Sequence, residues 1–190
     1  MREFIQLAGI LTLISVLSAW GLSYTYTITK PIIEVNRVKR QVEAIAAVLP
    51  PFDNQPAKDK KTIADTREGK MEFYVGKKNG RVNGVAFQAF SKGYHGQISL
   101  MIGVTPQGKI YGIDILNQTE TPGLGAKIAQ KSFLQQFKGK DLENARWAVK
   151  KMKGDFDQVT AATISSRSMI EGVKEGLSIY QKHAAQILKE

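Results

Sequence analysis

Residues 71–116 read MEFYVGKKNGRVNGVAFQAFSKGYHGQISLMIGVTPQGKIYGIDIL, four β-rich runs separated by turn signals. Met71–Gly76 and Val82–Phe90 flank Asn79-Gly80, a dipeptide suited to a hairpin because both residues tolerate positive φ. A Gly93-Tyr94-His95-Gly96 loop leads into Gln97–Val104, and Pro106-Gln107-Gly108 turns the chain into Lys109–Leu116. Connections this short join antiparallel neighbours, so the runs predict a four-stranded meander. Such a sheet needs helices to cover it. From about Ser165 to Leu188, Met169, Ile170, Val173, Leu177, Tyr180, Ala184 and Ile187 recur at helical spacing, one continuous apolar stripe. Ala126 to about Phe137 reads as helical or mixed, and Trp147-Ala148-Val149 as one more short strand. The fold class expected is α+β, an antiparallel meander with packed helices.

Upstream of the sheet, residues 50–68 (PPFDNQPAKDKKTIADTRE) read as a polar loop. Before it, Val35, Val38, Val42, Ile45 and Leu49 step by three and four, which predicts an amphipathic helix that packs on the domain. Pro31 suits its first turn and Pro50-Pro51 its end. Further upstream, no charged side chain occurs from Phe4 to Thr29, a run long enough to cross a bilayer as a helix. Trp20, Tyr24 and Tyr26 lie toward one end, where aromatic belts meet lipid headgroups. A cleaved signal peptide is the rival reading. Against it stand the length of the run, a basic region reduced to Arg2, and a poor cleavage site near Ser18-Ala19. The expected division is 1–30 as a transmembrane anchor, 31–68 as amphipathic helix and linker, and 69–190 as the folded domain. Lys30, Arg37, Lys39 and Arg40 follow the anchor and only Arg2 precedes it, so the charge bias alone puts the domain in the cytoplasm.

Composition narrows the function. The formal net charge is +10, and the 27 Lys and Arg are spread along the chain without the interleaved aromatics of a single-strand binding surface, so no nucleic-acid partner is expected. The chain has no cysteine, which removes thiolate metal sites, cysteine-ligated clusters and cysteine nucleophiles together. His95 and His183 are its two histidines, and neither has carboxylates at metal-binding spacing, so no metal site is expected. No residue set is arranged as a catalytic acid, base or nucleophile.

The chemistry concentrates in Asp157-Gln158-Val159-Thr160-Ala161-Ala162-Thr163-Ile164-Ser165-Ser166, which leads into the last helix. Two readings stand side by side. Ser and Thr are common caps that accept bonds from free helix N–H groups. The same N–H groups and the helix dipole also form an anion site suited to phosphate, with Ala161 and Ala162 small enough to admit a bulky ligand.

Asp157-x-x-Thr160-Ala161-Ala162-Thr163 resembles the flavinylation motif of the FMN-binding domains of the RnfG/NqrC family, with Ala161 where that family usually has glycine. A second stretch, Glu120-Thr121-Pro122-Gly123-Leu124-Gly125, resembles the family's Glu-Thr-Pro-Gly-Leu-Gly loop, and Pro-Gly is type II turn chemistry. The resemblance covers nearly the whole chain, and the length is closer to the RnfG branch. It implies that a flavin transferase joins FMN to Thr163 as a phosphoester, recognising Asp157 and Thr160. Ala162, Ser165 and Ser166 would complete the phosphate end of the site, and Glu120, Thr121, Gly123, Leu124 and Gly125 the other end. Glu120 is expected to contact or orient the flavin ring. Lys127 is a candidate for stabilising reduced flavin by charge. His95 reads as a surface-loop residue, and Asn117-Gln118-Thr119 is discounted as a glycosylation site beside that loop. The resemblance also implies an electron-relay subunit rather than a free-standing enzyme, placed among the other membrane subunits of an Rnf complex in the cytoplasmic membrane. There the domain faces away from the cytoplasm, contrary to the charge count. The alternatives are a membrane-anchored binding or assembly module without flavin, and a regulatory flavoprotein outside an Rnf complex.

Overall fold

The structure is a computed structural model that describes residues 1–65 and 69–189. It contains α1 (Arg2–Val48), β1 (Lys60–Asp65), β2 (Gly69–Lys78), β3 (Arg81–Lys92), β4 (Gln97–Val104), β5 (Ile110–Asn117), α2 (Lys131–Leu134) and α3 (Thr163–Leu188), with short 3-10 turns between β5 and α3. The sheet has five antiparallel strands in sequence order, β1-β2-β3-β4-β5. This is the expected α+β meander with one strand more. The extra strand, β1, falls inside the segment expected to be a polar loop. Its lysine-rich sequence carries little strand propensity, and its order comes from pairing Lys60–Asp65 with β2. The tail of the expected loop, residues 66–68, lies outside the described residues.

Alternation along the strands sends side chains to two different layers. Phe73 and Val75 of β2, Val85 and Phe87 of β3, and Leu100 and Ile102 of β4 are all essentially inaccessible. They pack with Met169, Val173, Leu177 and Tyr180 of α3 in the main core. The opposite face carries Tyr74, Ala86 and Met101, covered by Ala44, Ile45, Val48 and Leu49 from the end of α1. The α1 end approaches the sheet so closely that glycine is required beneath it. A Cβ on Gly103 would lie 2.0 Å from the Val48 carbonyl oxygen, and one on Gly84 would lie 2.6 Å from Pro50 Cδ. Of the stripe expected over 31–49, Ile45 and Leu49 pack on the sheet as expected, joined by Ala44 and Val48. Val35, Val38 and Val42 are exposed, and Ala44, Ile45 and Val48 are buried. Nor does Pro31 begin a new helix. It lies inside α1, which runs unbroken from Arg2 to Val48.

By contact density the chain divides into residues 1–40 and 41–190. In the first unit the apolar run is fully exposed and is long and apolar enough to cross a membrane. Its hydroxyls are satisfied on the helix itself: Thr12 donates to the Ala8 carbonyl, Ser15 to Leu11 and Thr25 to Gly21. Trp20 stacks on Tyr24, and the Lys30 ammonium lies 5.5 Å from the Tyr26 ring centre.

In the second unit, the stretch between β5 and α3 winds through 3-10 turns around Phe133, Phe137, Trp147 and Phe156. Residues 126–137 are short helical turns, as expected. Trp147-Ala148-Val149 is not a strand. Val149 makes one isolated parallel bridge to Phe156, and both side chains are consumed by the core.

Candidate functional site

The site is assembled where α3 begins. The Ala162 N–H donates to the Val159 carbonyl at 3.0 Å, and Ala161 takes the left-handed conformation, φ +62°, so the chain doubles back before entering the helix at Thr163. Ser166 locks this turn from inside. Its hydroxyl accepts from the Val159 N–H at 2.9 Å and donates to the Ala162 carbonyl at 2.9 Å. The residue in the capping position is Ala162, which has no side-chain acceptor, and among the described residues no side chain caps α3. The hydroxyl-rich sequence is thus not a set of helix caps, and the capping reading fails. The first-turn N–H groups of Thr163–Ser165 are left for an acceptor outside the helix.

Three segments meet at Glu120, which is 4% exposed. One carboxylate oxygen accepts from the His95 main-chain N–H at 3.1 Å, and the other accepts from the Ser165 hydroxyl. A Cβ on Gly93 would lie 2.3 Å from the first oxygen and one on Gly125 2.6 Å from the second. Glycine at both positions is therefore what admits the carboxylate. Glu120 joins the β3–β4 loop, its own loop and the start of α3. The Thr121 hydroxyl adds a 3.3 Å contact to His95 Nδ1, so His95 belongs to the architecture of the site through its main chain and ring.

Above this junction lies a cavity of about 340 Å³, lined by Glu120, Thr121, Leu124 and Gly125 and by Ala161, Ala162, Thr163 and Ser165. The two motifs, distant in sequence, both line it. Not every expected residue reaches it. Gly123 makes the turn with φ +75° and carries open space where a Cβ would stand. Ser166 is spent on the turn beneath. Asp157 is exposed, its carboxylate 2.9 Å from Lys150 Nζ and its main chain held by Gln136. Thr160 is exposed beside it and does not line the cavity. Lys127 is exposed beyond Gly125 and off the lining. Two residues not expected at the site, Tyr94 and Ile164, complete the rim. They are 67% and 53% exposed. An exposed aromatic between Gly93 and Gly96 was the sequence signal for Tyr94.

Residues 93–178 match the FMN-binding domain family. The fold is also that of the NqrC protein of the Na(+)-translocating NADH-quinone reductase from Parabacteroides distasonis. The TM-score is 0.59 at 22% identity, covering 78% of this chain and 92% of that one. The G component of the ion-translocating oxidoreductase complex of Cereibacter sphaeroides is 34% identical over 186 residues, 94% of this chain and 85% of its own length. The G component of the Na(+)-translocating ferredoxin:NAD(+) oxidoreductase complex of Acetobacterium woodii is 34% identical over 189 residues, 93% and 91% of the two chains. The chain belongs to the RnfG/NqrC family, in the branch of these G components.

Proposed function

We propose that this protein is the electron-transfer subunit of a membrane-bound, ion-translocating ferredoxin:NAD oxidoreductase of the Rnf type, and that it carries FMN through a phosphoester to Thr163. The observation that carries the reading is the uncapped start of α3. Thr163, its first residue, lines a cavity to which Glu120, Thr121, Leu124 and Gly125 also contribute. Flavin supplies reversible electron storage when bound; the protein supplies position and electrostatics. The free N–H groups of Thr163–Ser165 and the helix dipole suit the phosphate of the ester. Ala161 and Ala162 leave room for it. Leu124, Tyr94 and Ile164 offer apolar and aromatic surface to a flat ring. Both Glu120 oxygens are already engaged, so its part in the site is to hold the two motifs at a fixed separation. Ser166 holds the turn that presents Thr163. Asp157 and Thr160 stand exposed where a flavin transferase would meet them.

The anchor is the helical run within residues 1–30, and we propose that residues 41–190 lie outside the cytoplasm. A flavin-free assembly module is the competing reading. It takes the threonine cluster as caps, which the geometry at Ala162 does not support.

The test is intact-protein mass spectrometry of the full chain after co-expression with a flavin transferase. The wild type should gain the mass of one FMN less one water and keep flavin fluorescence after denaturation. Thr163→Val should do neither. Covalent flavin retained on Thr163→Val would overturn the attachment site, and a wild-type chain without flavin would favour the assembly module. Co-purification with the remaining complex subunits separates an Rnf subunit from a regulatory flavoprotein.

A further inference from the structure

Among the described residues from 41 onward, the exposed large hydrophobic side chains are Val42, Phe90, Tyr94, Leu124, Met152 and Ile164. Three of these six, Tyr94, Leu124 and Ile164, stand on the rim of the cavity described above. Met152 stands farther along beside α3, the helix whose first turn carries Ile164. It lines a small neighbouring groove with Arg167 and Glu171, one and two turns beyond Thr163 on α3. An apolar cluster gathered on one face, when the rest of the surface carries few such residues, marks a contact surface.

The charge around it favours cations: Arg167 pairs with Glu171 and Lys150 with Asp157, which leaves lysines in excess. Residues 121–153 hold seven lysines and Arg146 against Asp141 and Glu143, so this stretch carries most of the chain's positive excess. Lys127 lies beside Leu124, and Lys151 and Lys153 flank Met152; all three are exposed and pair with no carboxylate among the described residues. The tip that presents Met152 is firmly built. The Lys150 N–H bonds the Phe156 carbonyl at 2.7 Å, and the Gly154 and Met152 N–H groups both bond the Val149 carbonyl. A Cβ on Gly154 would lie 1.8 Å from the Ala148 carbonyl oxygen, so the backbone is closely packed there. Apolar centre, charged rim and ordered backbone together are the anatomy of a protein interface.

We infer that this face is the docking surface for a protein partner whose own contact face has an apolar centre and a rim of carboxylates. The inference rests on the proposed function only in naming that partner a subunit of the same membrane complex. The face itself is defined without flavin. Unpaired lysines around an apolar centre favour an acidic counterpart, because matched potentials steer encounter and reject basic surfaces. Docking here places the partner directly over the cavity mouth.

The experiment uses the full chain, co-expressed with the other subunits of its complex in native membranes, with a photo-crosslinking amino acid at position 94 or 164. Crosslinks to another subunit, in peptides carrying Asp or Glu near the attachment point, are expected. A K127E/K151E/K153E chain should retain at least tenfold less of the other subunits after a salt wash, whereas Lys109→Glu, in the turn between β4 and β5, should retain them. Circular dichroism on each variant confirms folding, and the wild-type crosslinks stand independently of the charge reversals. Thr163→Val should keep the crosslinks, so loss of flavin and loss of docking are read separately. Crosslinks confined to anionic lipid, crosslinks to peptides without carboxylates, no crosslinks, or full retention by the charge-reversed chain would each overturn the inference.

Discussion

At the level of single residues, the site turns on Ala161. Its left-handed backbone is a conformation that an L residue adopts at a cost of about 1–2 kcal/mol and glycine adopts freely. The family's usual glycine at this position thereby gains a physical reason. Ala161→Gly should raise the stability of the full chain in detergent by about 1 kcal/mol, read as a higher melting temperature, without lowering flavin attachment. A drop in melting temperature would mean that the alanine methyl packs to more effect than its backbone strain costs. Ser165 shows the opposite sign. Ser165→Ala leaves a Glu120 carboxylate oxygen buried without its donor, and the loss expected is about 1–3 kcal/mol. Denaturant unfolding measures it, and an unchanged midpoint would deny the junction its role. Tyr180 tests pH. Burial pushes its hydroxyl up to about 12. A raised value means that folding favours the neutral phenol: the stabilisation is complete below the ordinary value of about 10 and is lost as pH rises through about 12. Among the described residues its hydroxyl makes only long contacts, 3.4 and 3.5 Å, to the Pro106 and Thr105 carbonyls. Tyr180→Phe should therefore cost little at neutral pH and weaken the alkaline unfolding transition.

Between elements, the decisive contact is the close approach of the α1 end to the sheet. Gly103→Ala places a methyl against the Val48 main chain, where no rotamer offers relief, and the expected loss is a few kcal/mol. Gly112→Ala meets Val48 Cα only at 3.2 Å and should be much milder. Paired thermal melts decide it, and equal effects would contradict the packing. The edge strand β1 is tied in by a polar chain. Lys60 Nζ lies 2.6 Å from one Glu72 oxygen, the Tyr74 hydroxyl donates to the other at 2.7 Å, and Gln41 Nε2 donates to the Tyr74 oxygen. The bond from Lys60, followed by that from Tyr74, holds the Glu72 carboxyl below the usual carboxylate range. Its contribution is thus present at neutral pH and lost as pH falls through that depressed value. Because both Lys60 and Glu72 are well exposed, hydrogen exchange in β1 is a better measure than global stability. Exchange in β1 should quicken on acidification before that in β3 or β4.

At the scale of the molecule, the two compact units predict where the chain tolerates truncation. A chain beginning at Pro31 keeps Gln41 and the Ala44–Leu49 cover over Tyr74, Ala86 and Met101, and should be monomeric without detergent. One beginning at Pro50 uncovers that face and should aggregate. Size-exclusion chromatography distinguishes them, and a well-behaved chain from Pro50 would show that the α1 end is dispensable. Reporter fusions to the C-terminus test the proposed orientation, and a cytoplasmic signal would restore the charge bias as the governing factor.

The apolar run at the N-terminus, the strands β2 to β5 and the stripe of α3 were legible because each is written in a local period or a local turn. β1 was not, since its ladder is supplied by β2 rather than by its own side chains. The α1 end was legible as a helix and, through Ile45 and Leu49, in part as to its buried face. Val35, Val38 and Val42 obey the period as well as Ile45 does, and only the glycines of the sheet select Ala44 and Val48. The two motifs at the site were each visible alone, along with the residue types a phosphate needs. That they belong to one site was expected from the family resemblance alone; that Ala162 leaves α3 uncapped and that Glu120 is clamped between Gly93 and Gly125 depend on contacts between residues far apart in sequence. Such contacts leave no periodic trace, because their partners are fixed by the packing of α3 across the sheet and not by neighbours along the chain.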